Sequence, residues 1–417
     1  ALYLNTTGNN NVANGAFSLN KNTTGNSNVA NGYEALLYNT TGSRNTASGA
    51  YSLRSNTVGE ENTAAGSYAL YANTTGGANN GIGYQALYSN TTGKQNTANG
   101  NNALYSNTIG ENNAAIGYYT LFSNTVGSNN TGFGTNSLAN NTTGAHNSAF
   151  ARNALLFNVD GSYNVAQGSA SLFNNQSGSY NVAIGAAAGF NSVGNSNVFI
   201  GRQAGYNETG SNTLYISNNF NTPLLYGQFS KQAAGNKLGI GTTTIGANDT
   251  ITVHNGASLS AGGVWTNASS RELKQDIQTL SSEDAQQTLA ALSPVRYAYK
   301  NSPDEEYVGF IAEDVPALVA SNDRKSLSPM DVVAVLTQVT KEQELKLAEK
   351  DVAIHALRSE KDVEVAMLQD ELSAQNSKLS EQDTMLSAQD ERITQLELAL
   401  TELLRERNDN LQVSSLN

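Results

Sequence analysis

The chain contains no cysteine, and this absence excludes a disulfide framework and any thiolate metal site. Histidine is almost as scarce: His146, His254 and His355 lie far apart, with no helical pairing, which argues against a zinc site or a Ser-His-Asp triad. No run approaches the roughly 20 apolar residues that a membrane-spanning helix needs. We therefore expect no metal, no cofactor and no membrane span in this chain.

Charged side chains are scarce in the first 240 residues, which hold six acidic and eight basic ones. The totals are 35 and 23, so 29 acidic and 15 basic residues follow residue 240. A nucleic-acid binder needs a clustered basic face, and the long uncharged part offers none. Nucleic acid is therefore not an expected partner.

A 17-residue repeat dominates the first half of the chain. An Asn-x-x-Gly turn begins at every seventeenth residue from Asn5 to Asn175, with a second asparagine six residues later and a leucine in the same phase from Leu19 to Leu172. Turn formers alternate with very short apolar segments, which favours short strands joined by tight turns. Such coils bury their apolar edges only by stacking. We predict a parallel β-solenoid with asparagine ladders, about 13 coils and, at ~4.8 Å per coil, on the order of 60 Å long.

The period and the sequence Asn-Val-Ala-Ile-Gly at 181–185 resemble the head repeats of trimeric autotransporter adhesins, which form a left-handed parallel β-roll. The resemblance covers residues 1–218, although the family's unit is usually shorter, and it implies a homotrimer. Because Ala1 lies inside a repeat, we expect a preceding segment that carries an export signal or an anchor.

The repeat allows three other interpretations: a calcium-binding solenoid, an ice-binding array and a carbohydrate-stacking surface. Calcium-binding solenoids need aspartate in each coil, and these coils have almost none. The Asn-Thr ranks fit either an ice-binding array or ordinary turns. One aromatic rank fits either a carbohydrate-stacking surface or simple ring packing; it consists of Tyr71, Tyr88, Tyr105 and Phe122.

A β-rich connector is expected over residues 219–264, followed by a small α+β domain over 265–330. This domain contains Ser269, Ser270 and Lys274, then Pro-Val-Arg-Tyr at 294–297 and Gly-Phe-Ile-Ala at 309–312. The order resembles the endosialidase-type intramolecular chaperone, whose pattern is Ser-Asp-x-x-x-Lys, a helix, a Pro-Val-x-Tyr strand and a Gly-Phe-Ile-Ala motif. The resemblance spans roughly 50 residues.

The resemblance implies that Ser269 and Lys274 form a catalytic dyad that cleaves the chain itself, once, as a serine endopeptidase. A neutral lysine can serve as the base for a serine nucleophile, and burial at a subunit junction would favour that neutral form. The family's Asp is Ser270 here, which departs from the pattern. The alternative is that Ser269 caps a helix starting near Glu272, as the Ser-x-x-Glu spacing allows. Glu313 and Asp314, which are adjacent in the sequence, are expected to be solvated or to make interface contacts and not to form a glycosidase pair.

After Pro329 the chain has neither proline nor glycine and reads as one long helix. Apolar residues repeat in heptads, unbroken from Val365 onward, and predict a trimeric coiled coil over 331–408 with a disordered tail at 409–417. Gln375, Gln382 and Gln389 fall on successive core positions, where polar layers either fix register or are merely tolerated.

Together these features predict a mainly β protein with an α-helical C-terminus. We expect a homotrimeric fibre or adhesin at a cell surface, in the extracellular space or on a phage virion as a tail fibre. Its expected partners are further copies of itself and a cell-surface glycan or receptor. The alternatives are a glycan-binding or glycan-degrading fibre and an ice-binding repeat protein. The scattered carboxylates of residues 1–240 argue against glycan degradation.

Overall fold

The computed structural model describes residues 1–230 and 235–413, which fall into two compact units divided between Lys274 and Gln275. The first unit begins with a β-solenoid that contributes one three-residue strand per coil. The strands are β1 (Val12–Asn14), β2 (Val29–Asn31), β3 (Thr46–Ser48), β4 (Thr63–Ala65), β5 (Asn80–Ile82), β6 (Thr97–Asn99), β7 (Ala114–Ile116), β8 (Thr131–Phe133), β9 (Ser148–Phe150), β10 (Val165–Gln167), β11 (Val182–Ile184) and β12 (Val198–Ile200).

Each strand pairs in parallel with the next, and the register is set by the repeat. Val12 lies opposite Val29, one full repeat away, and the same offset holds up to the pair Val165 and Val182. The step shortens at the end, where Val182 lies opposite Val198. The predicted stacking of like residues in a β-solenoid is therefore confirmed.

The core of the solenoid is a column of leucines from Leu19 to Leu172, every one fully buried, flanked by the central alanines of the strands. Each of these leucines lies in the left-handed region, with φ between 46° and 54°. That conformation costs roughly 1–2 kcal/mol per residue. Burying a leucine side chain returns about 1.5–3 kcal/mol. The coil geometry is therefore maintained by packing against neighbouring coils and not by local preference.

The two asparagine ranks form the predicted amide ladders. In the first, the Nδ2 of Asn22 donates to the Oδ1 of Asn5 at 2.7 Å and to the carbonyl of Gly25 at 3.0 Å. In the second, the backbone N–H of Asn28 donates to the Oδ1 of Asn11 at 3.0 Å. The same contacts recur coil after coil among fully buried side chains. A buried amide costs free energy unless it is hydrogen-bonded, so the ladders allow a narrow, polar interior to remain stable.

The ladders end differently. The first stops at Asn175, whose Oδ1 has no hydrogen-bond partner within the described part of the chain, because Ser192 follows where another asparagine is expected. The second ends at Thr213, whose backbone N–H and Oγ1 both donate to the Oδ1 of Asn197 at 2.9 Å. The threonine therefore closes the ladder where the solenoid ends.

The glycine of each Asn-x-x-Gly turn is required by close approach of the next coil. A Cβ placed on Gly76 would lie 2.4 Å from the carbonyl oxygen of Gly93 and 2.4 Å from the Oδ1 of Asn73. The adjacent Gly77 is less tightly enclosed, since its nearest neighbour, the carbonyl oxygen of Glu60 in the preceding coil, would be 3.2 Å away and need shift only slightly. Only the first of these two glycines is fixed by the stacking.

Beyond the solenoid, the first unit continues as short strands. The strand β13 adds in parallel to β12, β14 and β15 follow antiparallel, β16 is parallel to β15, and β17 and β18 are again antiparallel. They are β13 (Thr213–Ile216), β14 (Leu225–Gln228), β15 (Lys237–Ile240), β16 (Asp249–Val253), β17 (Ser258–Ser260) and β18 (Trp265–Thr266).

The second unit is small and ends in a long helix. It contains α1 (Ser282–Ala291), the antiparallel hairpin of β19 (Val295–Tyr299) and β20 (Ser302–Gly309), and α2 (Pro329–Val413). Its core packs Ala285 of α1 against Val315, Val319 and the first turns of α2, where Val335 and Val339 are buried. The helix ends at Val413, and residues 414–417 of the predicted tail lie outside the described residues. No helix in the described ranges is long and apolar enough to cross a bilayer.

Candidate functional site

The candidate site lies just after β18, where the chain makes a single 3-10 turn over Arg271–Leu273. The backbone N–H of Leu273 donates to the carbonyl of Ser270 at 3.1 Å, and that of Lys274 donates to the carbonyl of Arg271 at 3.2 Å. Lys274 then returns to an extended conformation. The turn therefore folds the chain back over only a few residues.

This turn brings Ser269 and Lys274 together. The Nζ of Lys274 donates a hydrogen bond to the Oγ of Ser269 at 2.8 Å. Five residues in an extended chain would span about 16–18 Å, farther than a lysine side chain reaches. The contact has the length expected of a nucleophile and its base. The structure thus places the two residues singled out from the sequence within hydrogen-bonding distance.

The capping role considered for Ser269 falls to its neighbour. The N-cap of the turn is Ser270, whose Oγ accepts a hydrogen bond from the backbone N–H of Glu272 at 3.3 Å. The Ser-x-x-Glu spacing therefore indicates a cap one residue too early, because the turn is a 3-10 turn that begins at Arg271. The next α-helix starts only at Ser282, with Ser281 as its N-cap. The Oγ of Ser269 accepts a hydrogen bond from Lys274 and caps no turn.

The dyad is open to solvent in the single chain, where Ser269 and Lys274 are both exposed. The large apolar side chains that flank the dyad in the sequence are exposed as well: Val264 is 61% accessible, Trp265 51% and Leu273 64%. Burial is the factor that would favour a neutral amine. Large exposed apolar patches are typical of interaction surfaces. Sequence reasoning missed these exposed side chains, although a tryptophan and a leucine flank the motif in the sequence.

Comparison with protein families gives one match: residues 269–323 match the family described as chaperone of endosialidase. The segment is an endosialidase-type chaperone domain. The match begins at Ser269 itself. Neither the curated proteins nor the solved structures gave a significant match to the chain.

The first of the two sequence motifs lies in the strand that the family pattern implies, and the second follows the hairpin. The Pro-Val-Arg-Tyr sequence enters β19, and the Gly-Phe-Ile-Ala sequence begins at Gly309, the last residue of β20. Phe310 from that motif packs against the buried cluster of the second unit. Motif residues thus build the hairpin and its contact with the core. At position 270 this chaperone domain has serine where the family pattern has aspartate.

The other candidate groups do not converge on a second site. Glu313 and Asp314 are exposed, as expected for solvated carboxylates. His146 stacks on Tyr163 with ring centroids 4.6 Å apart, and both side chains are exposed on the surface of the solenoid. Across residues 1–230 and 235–413, no group of three or more His, Cys, Asp or Glu side chains is arranged to hold a metal ion.

The aromatic rank consists of rings stacked on one another. Tyr71, Tyr88, Tyr105 and Phe122 lie with successive centroids 5.0–5.1 Å apart and planes within 13° of parallel. The guanidinium of Arg54 lies over Tyr71, 5.7 Å from its centroid. Sugar stacking requires an exposed ring face, and here most faces are covered by the neighbouring ring. The geometry favours packing over carbohydrate stacking along this rank.

The threonine hydroxyls of the turns are engaged in hydrogen bonds between coils. The residue after the first asparagine of each turn is threonine from Thr6 to Thr142, at every seventeenth position, and its Oγ1 donates to a backbone carbonyl of the following coil at 2.8–3.1 Å. These hydroxyls contribute to coil stacking, and their hydrogens are not free to order water. An ice-binding array along this rank is correspondingly disfavoured.

Proposed function

We propose that the chain is a homotrimeric fibre protein whose chaperone domain directs assembly and then cuts itself off at Ser269. The chaperone domain and the β-solenoid together fit a tail-fibre-like protein. The observation that carries the cleavage is the 2.8 Å contact between the Nζ of Lys274 and the Oγ of Ser269, at the first residue of the matched segment. A phage virion or another extracellular surface is the location that this family suggests.

The chemistry proceeds in two steps at the bond between Ala268 and Ser269. The neutral amine of Lys274 takes the hydroxyl proton of Ser269 while the Oγ bonds to the carbonyl carbon of Ala268. This attack closes a five-membered ring, whereas attack on the carbonyl of Ser269 itself would need a strained four-membered one. The C–N bond then breaks and the nitrogen of Ser269 takes a proton from the lysine ammonium. Water finally hydrolyses the ester, leaving a carboxylate on Ala268.

Unpartnered apolar surface supports the assembly of several copies. The outward third position of the solenoid strands is apolar in many later coils, with Phe133 52% and Phe150 42% accessible. The long helix α2 exposes a heptad series of leucines, such as Leu372, Leu379 and Leu386, each 57–60% accessible. Such a stripe on an isolated helix is typical of a coiled-coil seam. Copies of the same chain are the occupants that match both surfaces at once.

Assembly would also supply the burial that the exposed dyad lacks. A second chain placed over Trp265 and Leu273 would exclude water from Lys274 and favour its neutral form. Cleavage would then follow trimerisation and not precede it. The catalytic groups act once, on their own chain, and no external substrate is required.

The test is intact mass and denaturing electrophoresis of the full chain, with the oligomeric state followed by native mass. Wild type should yield fragments 1–268 and 269–417, while Ser269→Ala and Lys274→Ala should stay intact. Lys274→Arg keeps the charge but cannot deprotonate, and it should slow cleavage by about 100-fold or more. Ser293→Ala and Lys300→Ala remove exposed residues of the same types and should cleave normally. An assembled wild-type chain that stays full length would contradict the cleavage, and a monomer would contradict the trimer.

A further inference from the structure

Ser270 occupies the position that is Asp in the family pattern, and its contacts suggest what that position does. Its Oγ accepts from the backbone N–H of Glu272, and its carbonyl accepts from the N–H of Leu273. Ser270 itself is extended, with φ −63° and ψ 143°, as N-cap residues are. Both of its polar groups therefore hold the first turn after the nucleophile.

That turn decides whether the dyad forms. A one-turn 3-10 helix has few hydrogen bonds of its own, so an isolated turn is marginal in water. Without it, Ser269 and Lys274 would drift apart along an extended chain. A cap on this turn therefore acts directly on the distance between the two side chains. Ser270 does this without touching the reacting atoms.

Serine and aspartate are both strong N-cap residues because each offers a side-chain oxygen to the N–H groups of the first turn. We propose that Ser270 is a positioning residue, which caps the turn that brings Lys274 onto Ser269 and so replaces the family Asp in that role. The inference rests on the self-cleavage proposed above. It also explains why the departure at position 270 leaves the 2.8 Å contact intact.

The rate of self-cleavage tests this in the full chain carrying Ser270→Ala, Ser270→Asn or Ser270→Asp. Loss of the cap should slow cleavage about fivefold in Ser270→Ala, while the Asn and Asp variants, which can cap, should cleave within about twofold of wild type. Rescue by asparagine is the informative result, because asparagine restores the acceptor without introducing the charge of the family Asp. Native mass confirms that all variants assemble equally.

A second measurement is independent of cleavage. In the uncleaved Ser269→Ala background, amide hydrogen exchange over residues 271–274 should be about fivefold faster with Ser270→Ala than with Ser270→Asn. Equal rates of exchange and of cleavage in these two variants would overturn the inference. Rescue by aspartate alone would overturn it as well, since a charge and not a cap would then be required. If wild type is never cut, the self-cleavage fails, and the exchange experiment still decides whether Ser270 holds the turn.

Discussion

Replacing Gly76 with alanine should open the solenoid at one level. The new Cβ would lie 2.4 Å from the carbonyl oxygen of Gly93, whereas a carbon and an oxygen normally approach no closer than about 3.3 Å. The two coils must therefore separate by about 1 Å. The hydrogen bonds between them at this level include Gly76 N–H to the carbonyl of Thr91 at 3.3 Å and Asn90 Nδ2 to Asn73 Oδ1 at 2.8 Å.

Losing two or three such hydrogen bonds, at about 1 kcal/mol each, should lower the free energy of unfolding by about 3 kcal/mol. Gly77→Ala is the matched control. It adds the same methyl group one residue later, at a position where another coil already carries Ala145, and should change stability by less than about 0.5 kcal/mol. The two substitutions differ in how closely a neighbouring coil approaches the new methyl group.

Guanidinium denaturation followed by circular dichroism gives the two free energies. Hydrogen exchange over residues 73–93 then shows whether the loss is local, as the nearest-neighbour stability of a solenoid requires. Equal destabilisation by Gly76→Ala and Gly77→Ala would refute the close-approach argument. So would faster exchange spread evenly over distant coils.

Two further predictions concern pH. The hydrogen bond from Arg54 lowers the pKa of Glu34, so this ion pair stabilises the fold above the unfolded pKa near 4.5, and that stabilisation is lost as the pH falls. Between pH 5 and 3 the melting temperature of Glu34→Gln should therefore drop less than that of wild type. Parallel melting curves for the two proteins would contradict this. Burial and a hydrogen bond to Glu208 raise the pKa of Tyr215 above its usual value of 10.0, so the contribution of Tyr215 to stability is complete below that pH and is lost as the pH rises. Above pH 10 the stability advantage of wild type over Tyr215→Phe should therefore shrink. An advantage that stays constant with pH would argue against this.

The solenoid was predictable because its repeat is visible at every coil. Asparagine, glycine and leucine recur in one phase, and a parallel stack of coils is the arrangement that buries all three ranks together. The left-handed backbone of Leu36 and its equivalents was not predictable, since leucine rarely adopts that conformation and only the packing of neighbouring coils enforces it. Conformational propensity is a property of a single residue type, whereas this left-handed backbone is imposed by contacts between stacked coils.

The sequence singles out the two residues of the candidate site, whose catalytic roles stay a prediction, but it does not predict the turn that brings them together. The resemblance gave Ser269 and Lys274, and the structure brings them together. The capping assignment went to the wrong serine, because adjacent serines offer the same side chain and sequence spacing cannot tell a 3-10 turn from an α-helix. Trimerisation, the coiled coil and self-cleavage remain predictions, since each depends on contacts between chains or on a reaction.

The uniformity of the ladders makes rod length adjustable in evolution. Each asparagine of the first ladder accepts from the following coil and donates to the preceding one, so removing or duplicating 17 residues rejoins identical partners. The chemistry at either end of the rod would be untouched by such a change. Reach can therefore vary in whole steps of about 4.8 Å, one coil at a time. A change of one residue is absorbed within a single coil, as at the 16-residue step from Val182 to Val198, and it leaves the number of coils unchanged.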